Sequence, residues 1–196
     1  SLQNPLEPEL ITSLVITGTL YQPILDGSKL WVASANDGLS NNLFCVDIGD
    51  PRNPVVISST TLSTLKYARR GVIKGKYLYM GGFDTTSRLN VIDISNATLP
   101  VVDFTHATET GAYVEVAGNA LYADANIYDI TDPILPILTG STSETIPRAT
   151  AVGAFILGYG AGATTSNPAG NDGNDVPTLK AMRISNYEVH GADIGV

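Results

Sequence analysis

The stretch LNVIDISNATLP (residues 89–100) decides the fold of this chain, because near copies of it recur along the sequence. The copies read LFCVDIGDPRNP at 43–54 and ANIYDITDPILP at 125–136, and a degenerate one reads LKAMRISN at 179–186. In the first three, a proline follows the aspartate of the Asp-Ile pair by seven positions. The aspartates, and Arg183 in the last copy, are 46, 36 and 54 residues apart, a spacing typical of propeller blades.

A second recurrent element precedes each copy, a glycine followed by an apolar stretch such as GKYLYM at 75–80. Gly27, Gly75, Gly118 and Gly153 begin these stretches, and glycine suits a hairpin turn that needs a positive φ. A third element follows each proline, as in PVVDFTH at 100–106. Proline is tolerated at the first residue of an edge strand, so this element predicts an outer strand.

These elements predict an all-β fold, a β-propeller of four-stranded antiparallel blades with about four blades in the chain. In the best-defined unit the predicted strands are 67–74, 76–82, 89–95 and 100–106. Such a sheet has two apolar faces, which neighbouring blades must cover.

The N-terminal stretch SLVITGTL at 13–20 reads like the outer strand at 55–62 and is expected to complete the last blade. A closed ring of four blades is the favoured arrangement. A piece of a larger propeller, a half-ring completed by a second chain, and a last outer strand formed by 186–196 stay open as alternatives.

The predicted domain organisation is a short arm followed by one propeller domain. Residues 1–12 carry prolines and glutamates and are expected to form an extended linker. The propeller domain covers 13–196, with repeat units at roughly 13–54, 55–100, 101–136 and 137–196.

The order of these motifs resembles the LVIVD-repeat family of β-propellers, which occurs in bacterial and archaeal surface proteins and which suggests a virion or phage relative as well. The resemblance covers roughly 14–189 and is weakest in the fourth unit, where Arg183 replaces the aspartate. It implies the fold and says little about activity, because propellers host many unrelated functions.

Composition limits the partners that the chain can bind. The net charge is −8 and the only basic doublet is Arg69-Arg70, which argues against nucleic acid and anionic membranes. No apolar run reaches the length of about 20 residues that crosses a bilayer, so no membrane span is predicted. The single cysteine, Cys45, lies in an apolar run and is expected to be a buried hydrophobic residue.

One candidate ligand site comes from aligning the units on their glycines. Gln22, Arg70, Tyr113 and Arg148 then share one position, five residues before the glycine, and are expected near the propeller axis. Two converging arginines suit a carboxylate, a phosphate or a sulfated sugar. The alternative is that these arginines pair with acidic groups of the fold itself.

A second candidate site is the long insertion at 161–177, which contains Asn171, Asp172, Asn174 and Asp175. Long loops in compact domains are commonly functional or disordered, and a carbohydrate or protein contact is the functional interpretation. Its oxygens are of the type that Ca²⁺ binds, but the twelve-residue calcium loop with its terminal glutamate is absent. No cofactor or metal is therefore expected.

The sequence predicts binding rather than catalysis. Asp47, Asp93 and Asp129 recur in successive units, as residues that hold turns do, whereas a catalytic carboxylate would occur once. No Gly-x-Ser-x-Gly signature is present. We expect an interaction or adhesion module of an extracellular cell surface or of a virion, such as a phage tail fibre. The module is expected to bind a glycan or protein through its loops and to form a homo-oligomer or a larger assembly. A propeller hydrolase or lyase that acts on carbohydrate at the axial mouth is the alternative.

Overall fold

The computed structural model describes residues 10–34, 42–62, 67–83, 87–107, 113–141, 150–152, 155–161 and 177–183. Within these ranges the chain is all β, with three four-stranded antiparallel sheets, one three-stranded sheet and no helix. In every sheet the strands pair in the order in which they follow one another along the chain. The all-β prediction is confirmed.

The first sheet contains β1 (Ile24–Asp26), β2 (Lys29–Ala33), β3 (Leu43–Asp47) and β4 (Val55–Thr60). The second contains β5 (Tyr67–Lys74), β6 (Tyr77–Phe83), β7 (Ser87–Asp93) and β8 (Val101–Ala107). The third contains β9 (Val114–Ala117), β10 (Ala120–Ala123), β11 (Asn126–Asp129) and β12 (Ile137–Ser141). The fourth contains β13 (Thr150–Val152), β14 (Phe155–Ala161) and β15 (Pro177–Arg183). The second sheet matches the predicted strands to within two residues at every boundary.

The expected outer strand at 13–20 is not formed in this structure. Only Leu20 pairs, through an isolated bridge with Ser34. Gly18, two residues before Leu20, has a φ of 110°, which interrupts the extended backbone. The predicted strand at 186–196 lies outside the described residues. A closed ring of four blades therefore stays a prediction.

Glycine sets the first hairpin of each of the first three sheets. Gly27, Gly75 and Gly118 have φ values of 58°, 60° and 58°, while the residue after each has a negative φ. This is the pattern of a two-residue type II′ turn, which suits the right-handed twist of the paired strands. The prediction is confirmed at these three positions, and Gly153 lies outside the described residues.

Aspartate sets the corner between the third and fourth strands. Asp47, Asp93 and Asp129 each accept a hydrogen bond at 2.8 Å through Oδ1, from the backbone amides of Gly49, Ser95 and Thr131 respectively. A second side chain three positions later repeats the device, because Asp50, Asn96 and Asp132 each accept a bond from the amide two residues on. The structural role predicted for the repeated aspartates is confirmed.

Asp93 has an additional partner. Its Oδ2 accepts a 2.6 Å bond from Lys76 Nζ, and this bond, together with those from Ser95, lowers the pKa of Asp93 to about 2. The same contact raises the pKa of Lys76, which lies 4.8 Å from the centre of the Tyr77 ring. Asp93 is therefore charged down to a lower pH in the folded chain than in the unfolded one.

Neighbouring sheets bury one another's faces. Trp31, Ala33 and Cys45 of the first sheet form one buried cluster with Leu78, Met80 and Ile92 of the second. Tyr79, Leu89 and Val91 of the second sheet form another with Leu121, Ala123 and Tyr128 of the third. The first strands of consecutive sheets are also in contact, β1 with β5, β5 with β9, and β9 with β13. The second sheet thus packs one face on the first sheet and the other on the third.

The buried side chain of Asn42 holds the segment that leads from the first sheet to the second. Asn42 lies just before β3, and its side chain donates to the carbonyl of Leu62 and accepts from the amide of Leu62. Leu62 is itself 1 % exposed, so this amide clamp fixes the segment that leaves the first sheet. Cys45 is fully buried, as predicted, and burial raises the pKa of its thiol to about 11.

We expect Gly75→Ala to lower the free energy of unfolding by about 1–2 kcal/mol, because a Cβ is disfavoured at a positive φ. No atom lies within 4 Å of the position that this Cβ would occupy, so the cost comes from the backbone alone. Gly140→Ala in β12 is the matched control, since that site is equally open and has no positive φ. Urea unfolding of both variants is the measurement, and equal effects would contradict the turn assignment.

We expect Asp93→Asn to flatten the acid limb of the stability curve. The charged carboxylate is favoured in the folded state, so its contribution is complete above about pH 4 and is lost as the pH falls towards about 2. Thermal unfolding between pH 5 and pH 2 measures this, with roughly unit steps in pH chosen to bracket both values. Asp103→Asn, which removes an exposed carboxylate from β8 of the same sheet, is the control, and an unchanged acid limb in Asp93→Asn would refute the assignment.

Candidate functional site

The aligned candidate residues in the described part of the chain lie on, or within two residues of, the first strands of consecutive sheets. Arg70 lies on β5, Tyr113 lies immediately before β9, and Gln22 lies two residues before β1. Because β1 contacts β5 and β5 contacts β9, the structure brings these positions to neighbouring strands. Arg148, and the loop residues Asn171, Asp172, Asn174 and Asp175, lie outside the described residues.

Arg70 is held between the second and third sheets. Its guanidinium nitrogen Nη2 lies 3.8 Å from Glu115 Oε2 on β9, and both side chains are 18 % exposed. A separation of 3.8 Å is an ion pair rather than a short hydrogen bond. The pairing of an arginine with an acidic group of the fold, the alternative raised from the sequence, is thus present at Arg70.

A β-bulge places Arg70 on its strand. The register of β5 with β6 shifts between Ala68 and Arg70, so that Ala68 pairs with Gly82 and Arg70 with Gly81. A bulge increases the local twist and changes the direction of the side chain that follows it. Sequence reasoning missed this feature, although the two glycines on the partner strand, Gly81 opposite Arg70 and Gly82 opposite Ala68, were a signal for it.

Asp124 fixes the backbone of Tyr113. The Tyr113 amide donates to Asp124 Oδ1 at 3.0 Å, and the Asp124 amide donates to the Tyr113 carbonyl at 2.9 Å. Asp124 is 5 % exposed and has a φ of 51°, a conformation that aspartate tolerates better than most residues. The Tyr113 side chain is half-buried, whereas Gln22 is exposed.

Lys74 connects the second sheet to the first turn of the third. Its Nζ donates to the Gly118 carbonyl at 2.7 Å and to Asn119 Oδ1 at 2.5 Å. Partial burial lowers the pKa of this lysine. The contact ties the C-terminal end of β5 to the third sheet, and Arg70, near the middle of the strand, contacts the same sheet through Glu115.

The described residues contain no group of three or more histidine, cysteine, aspartate or glutamate side chains placed to hold a metal ion. Within the same ranges, no helix has the length and apolarity needed to cross a bilayer. Neither observation indicates which ligand the residues at the first strands bind.

An apolar groove lies on the face of the first sheet that points away from the second sheet. It has a volume of about 530 Å³ and runs between the sheet and the N-terminal segment that precedes β1. Leu30, Val32, Val46, Ile48, Pro51 and Pro54 line it from the sheet, and Leu14, Ile16, Leu20, Tyr21 and Pro23 line it from the segment. This groove was not anticipated from the sequence.

Comparison with known proteins agrees with the motif pattern. Residues 66–108 match the family model described as the LVIVD repeat, and this match spans the whole second sheet. No curated protein matches the chain. The first and third sheets repeat the turn glycine and the corner aspartate of the matched sheet at the same positions. The chain therefore carries the LVIVD repeat that its sequence resembles, with residues 66–108 as the matched copy.

Proposed function

We propose that the chain is a non-catalytic interaction module of an extracellular surface or of a virion, and that it binds an anionic glycan or an acidic protein segment at the junction of its first strands. The observation that carries this proposal is the position of Arg70, half-buried at a bulge between two sheets and 3.8 Å from the Glu115 carboxylate. A ligand carboxylate or sulfate at this position would suit a bidentate bond to the guanidinium, shorter than its 3.8 Å contact with Glu115.

The module is proposed to be a propeller in which the four sheets are the blades. The contacts of β1 with β5, β5 with β9 and β9 with β13 support a common axis lined by first strands. Ligands that bind at such an axis meet one residue from each blade. Gln22, Arg70, Tyr113 and Arg148 would then offer an amide, two guanidinium groups and a phenol to one ligand.

The use of carboxylates supports binding over catalysis. The repeated aspartates at 47, 93 and 129 accept bonds from turn amides, so their oxygens serve the fold. The low Lys and Arg content and the acidic pI suit an exterior protein whose ligand is recognised by a few placed cations rather than by a basic surface. The module is proposed to need no cofactor.

We expect Arg70→Ala to weaken binding to sulfated or uronic-acid glycans on a glycan array by about 10-fold or more, as the loss of a charged hydrogen bond predicts. Glu115→Gln should strengthen the same binding, because it removes a carboxylate that competes with the ligand for the guanidinium. Arg52→Ala is the matched control, since Arg52 is an exposed arginine on the corner of the first sheet. Equal losses in Arg70→Ala and Arg52→Ala, or weaker binding in Glu115→Gln, would contradict the proposed site.

Deletion of 164–175 tests the second candidate site independently. We expect the deleted chain to unfold at nearly the same temperature and to keep its binding to anionic glycans. If the deletion removes binding while Arg70→Ala leaves it intact, the loop with Asn171, Asp172, Asn174 and Asp175 is the binding element and the first-strand junction is not.

A further inference from the structure

The residues that line the apolar groove hold defined positions in the repeat. Leu30 and Val32 are the third and fifth residues after the turn glycine, and Val46 and Ile48 flank the corner aspartate. The same positions in the second sheet are occupied by Leu78, Met80, Ile92 and Ile94, and in the third by Leu121, Ala123, Tyr128 and Ile130. The groove is thus one face of the repeat and not an irregular surface feature.

In the second and third sheets this face is covered by the preceding sheet. Leu78, Met80 and Ile92 are fully buried in the cluster that includes Trp31 of the first sheet. Leu121 and Ala123 are fully buried in the cluster that includes Tyr79 of the second sheet. Trp31 and Tyr79 are both the fourth residue after a turn glycine, so one repeat position supplies the covering ring in both interfaces.

The corner of each covered sheet also receives a hydrogen bond from the sheet before it. Ser58 Oγ of the first sheet donates to the Ala97 carbonyl at 2.6 Å, and the Tyr79 hydroxyl of the second donates to the Pro133 carbonyl at 2.9 Å. Ala97 and Pro133 are both the fourth residue after the corner aspartate, and Pro51 holds this position in the first sheet. Pro51 is exposed at the edge of the groove.

The N-terminal segment covers this face only in part. Val32 and Val46 are buried, but Leu30, Ile48 and Pro54 are half-exposed, while the counterparts of these three in the second and third sheets are buried. Two apolar residues of the segment also remain open to solvent, Leu14 at 39 % and Leu20 at 43 %. Sheet faces that repeat proteins leave open to water are polar, and this face is apolar.

We propose that this groove is the docking site for the fourth sheet of a second copy of the chain, so that copies associate head to tail through the interface that already joins consecutive sheets within one copy. The fourth sheet follows the third through β9 and β13, and its sequence places Leu157 at the fourth position after Gly153, the position of Trp31 and Tyr79. A contact between two different faces is heterologous, and it produces a closed ring or a filament according to the rotation between copies. The proposal does not depend on the identity of the glycan or protein ligand.

Native mass spectrometry and light scattering over a 100-fold range of protein concentration, about 1–100 μM, test the proposal on the full chain, because association with a micromolar dissociation constant changes with dilution across this range. We expect dimers or larger species that dissociate on dilution. Leu30→Glu should raise the dissociation constant at least 10-fold while the unfolding temperature changes little. Pro51→Glu, at the exposed edge of the groove, should weaken association in the same direction, and it keeps the test valid if Leu30→Glu proves unstable.

Two control variants separate docking from folding. Leu25→Glu changes a leucine that is 66 % exposed on β1 outside the groove and should leave association unchanged. Leu78→Glu changes the same repeat position as Leu30 in the second sheet and should lower the unfolding temperature strongly, because that side chain is buried within one copy.

A chain that stays monomeric at every concentration would overturn the proposal, and so would association that survives both Leu30→Glu and Pro51→Glu. If the chain is monomeric and Leu30→Glu destabilises it as much as Leu78→Glu does, the fourth sheet of the same copy covers the groove. Loss of glycan binding without a change of association would bear on the first-strand site alone and leave the docking proposal in place.

Discussion

The burial of one sheet face by the next is the interaction on which this structure depends. In the second sheet, Leu78 and Met80 lie on one face and Tyr79 lies on the other, so both faces are apolar. Each of these side chains is fully buried here. Full burial of a large apolar side chain is worth roughly 1.5–3 kcal/mol relative to exposure. A single sheet would forfeit this gain on both faces, so the fold exists only as a series of sheets. The series fixes the positions of all the first strands, and through them the positions of Arg70 and Glu115.

The corner aspartates make such a series possible because they keep the outer strand of each sheet in one register. Each aspartate accepts the amide two residues later, and the residue after it donates its own amide back to the first turn, as Ile94 does to the Lys76 carbonyl. The outer strand then starts directly after a proline, and its register with the third strand shifts next to the residue before the aspartate, between Val91 and Ile92 in the second sheet. The same bulge recurs in the first and third sheets, so the corner and the bulge form one unit of structure.

Sequence reasoning succeeded where several copies gave the same information. The turn glycines, the corner aspartates and the strands of the second sheet follow from a repeat, and an error in one copy is corrected by the others. The features that the sequence did not reveal are contacts between residues far apart along the chain. The Asn42 clamp on Leu62 and the pairing of Arg70 with Glu115 join residues from different units, the Asp124 brace under Tyr113 joins residues within the third unit, and no local pattern specifies such contacts. The stretch 13–20 was assigned to an outer strand by its likeness to 55–62, but likeness of one segment does not provide the partner strand that it needs.

Comparison of the units with one another separates the scaffold from the candidate site. Two positions that pack between the sheets keep their chemistry across the first three units. The fourth residue after the turn glycine is aromatic, as Trp31, Tyr79 and Tyr122, and the third is leucine, as Leu30, Leu78 and Leu121. The position five residues before the turn glycine changes from glutamine to arginine to tyrosine to arginine. A residue that only packed between equivalent sheets would experience the same environment in each unit and would tend towards one type. The row that begins with Gln22 and Arg70 varies although its strands are equivalent, as the proposed recognition of an asymmetric ligand requires, since such a ligand presents a different group to each sheet.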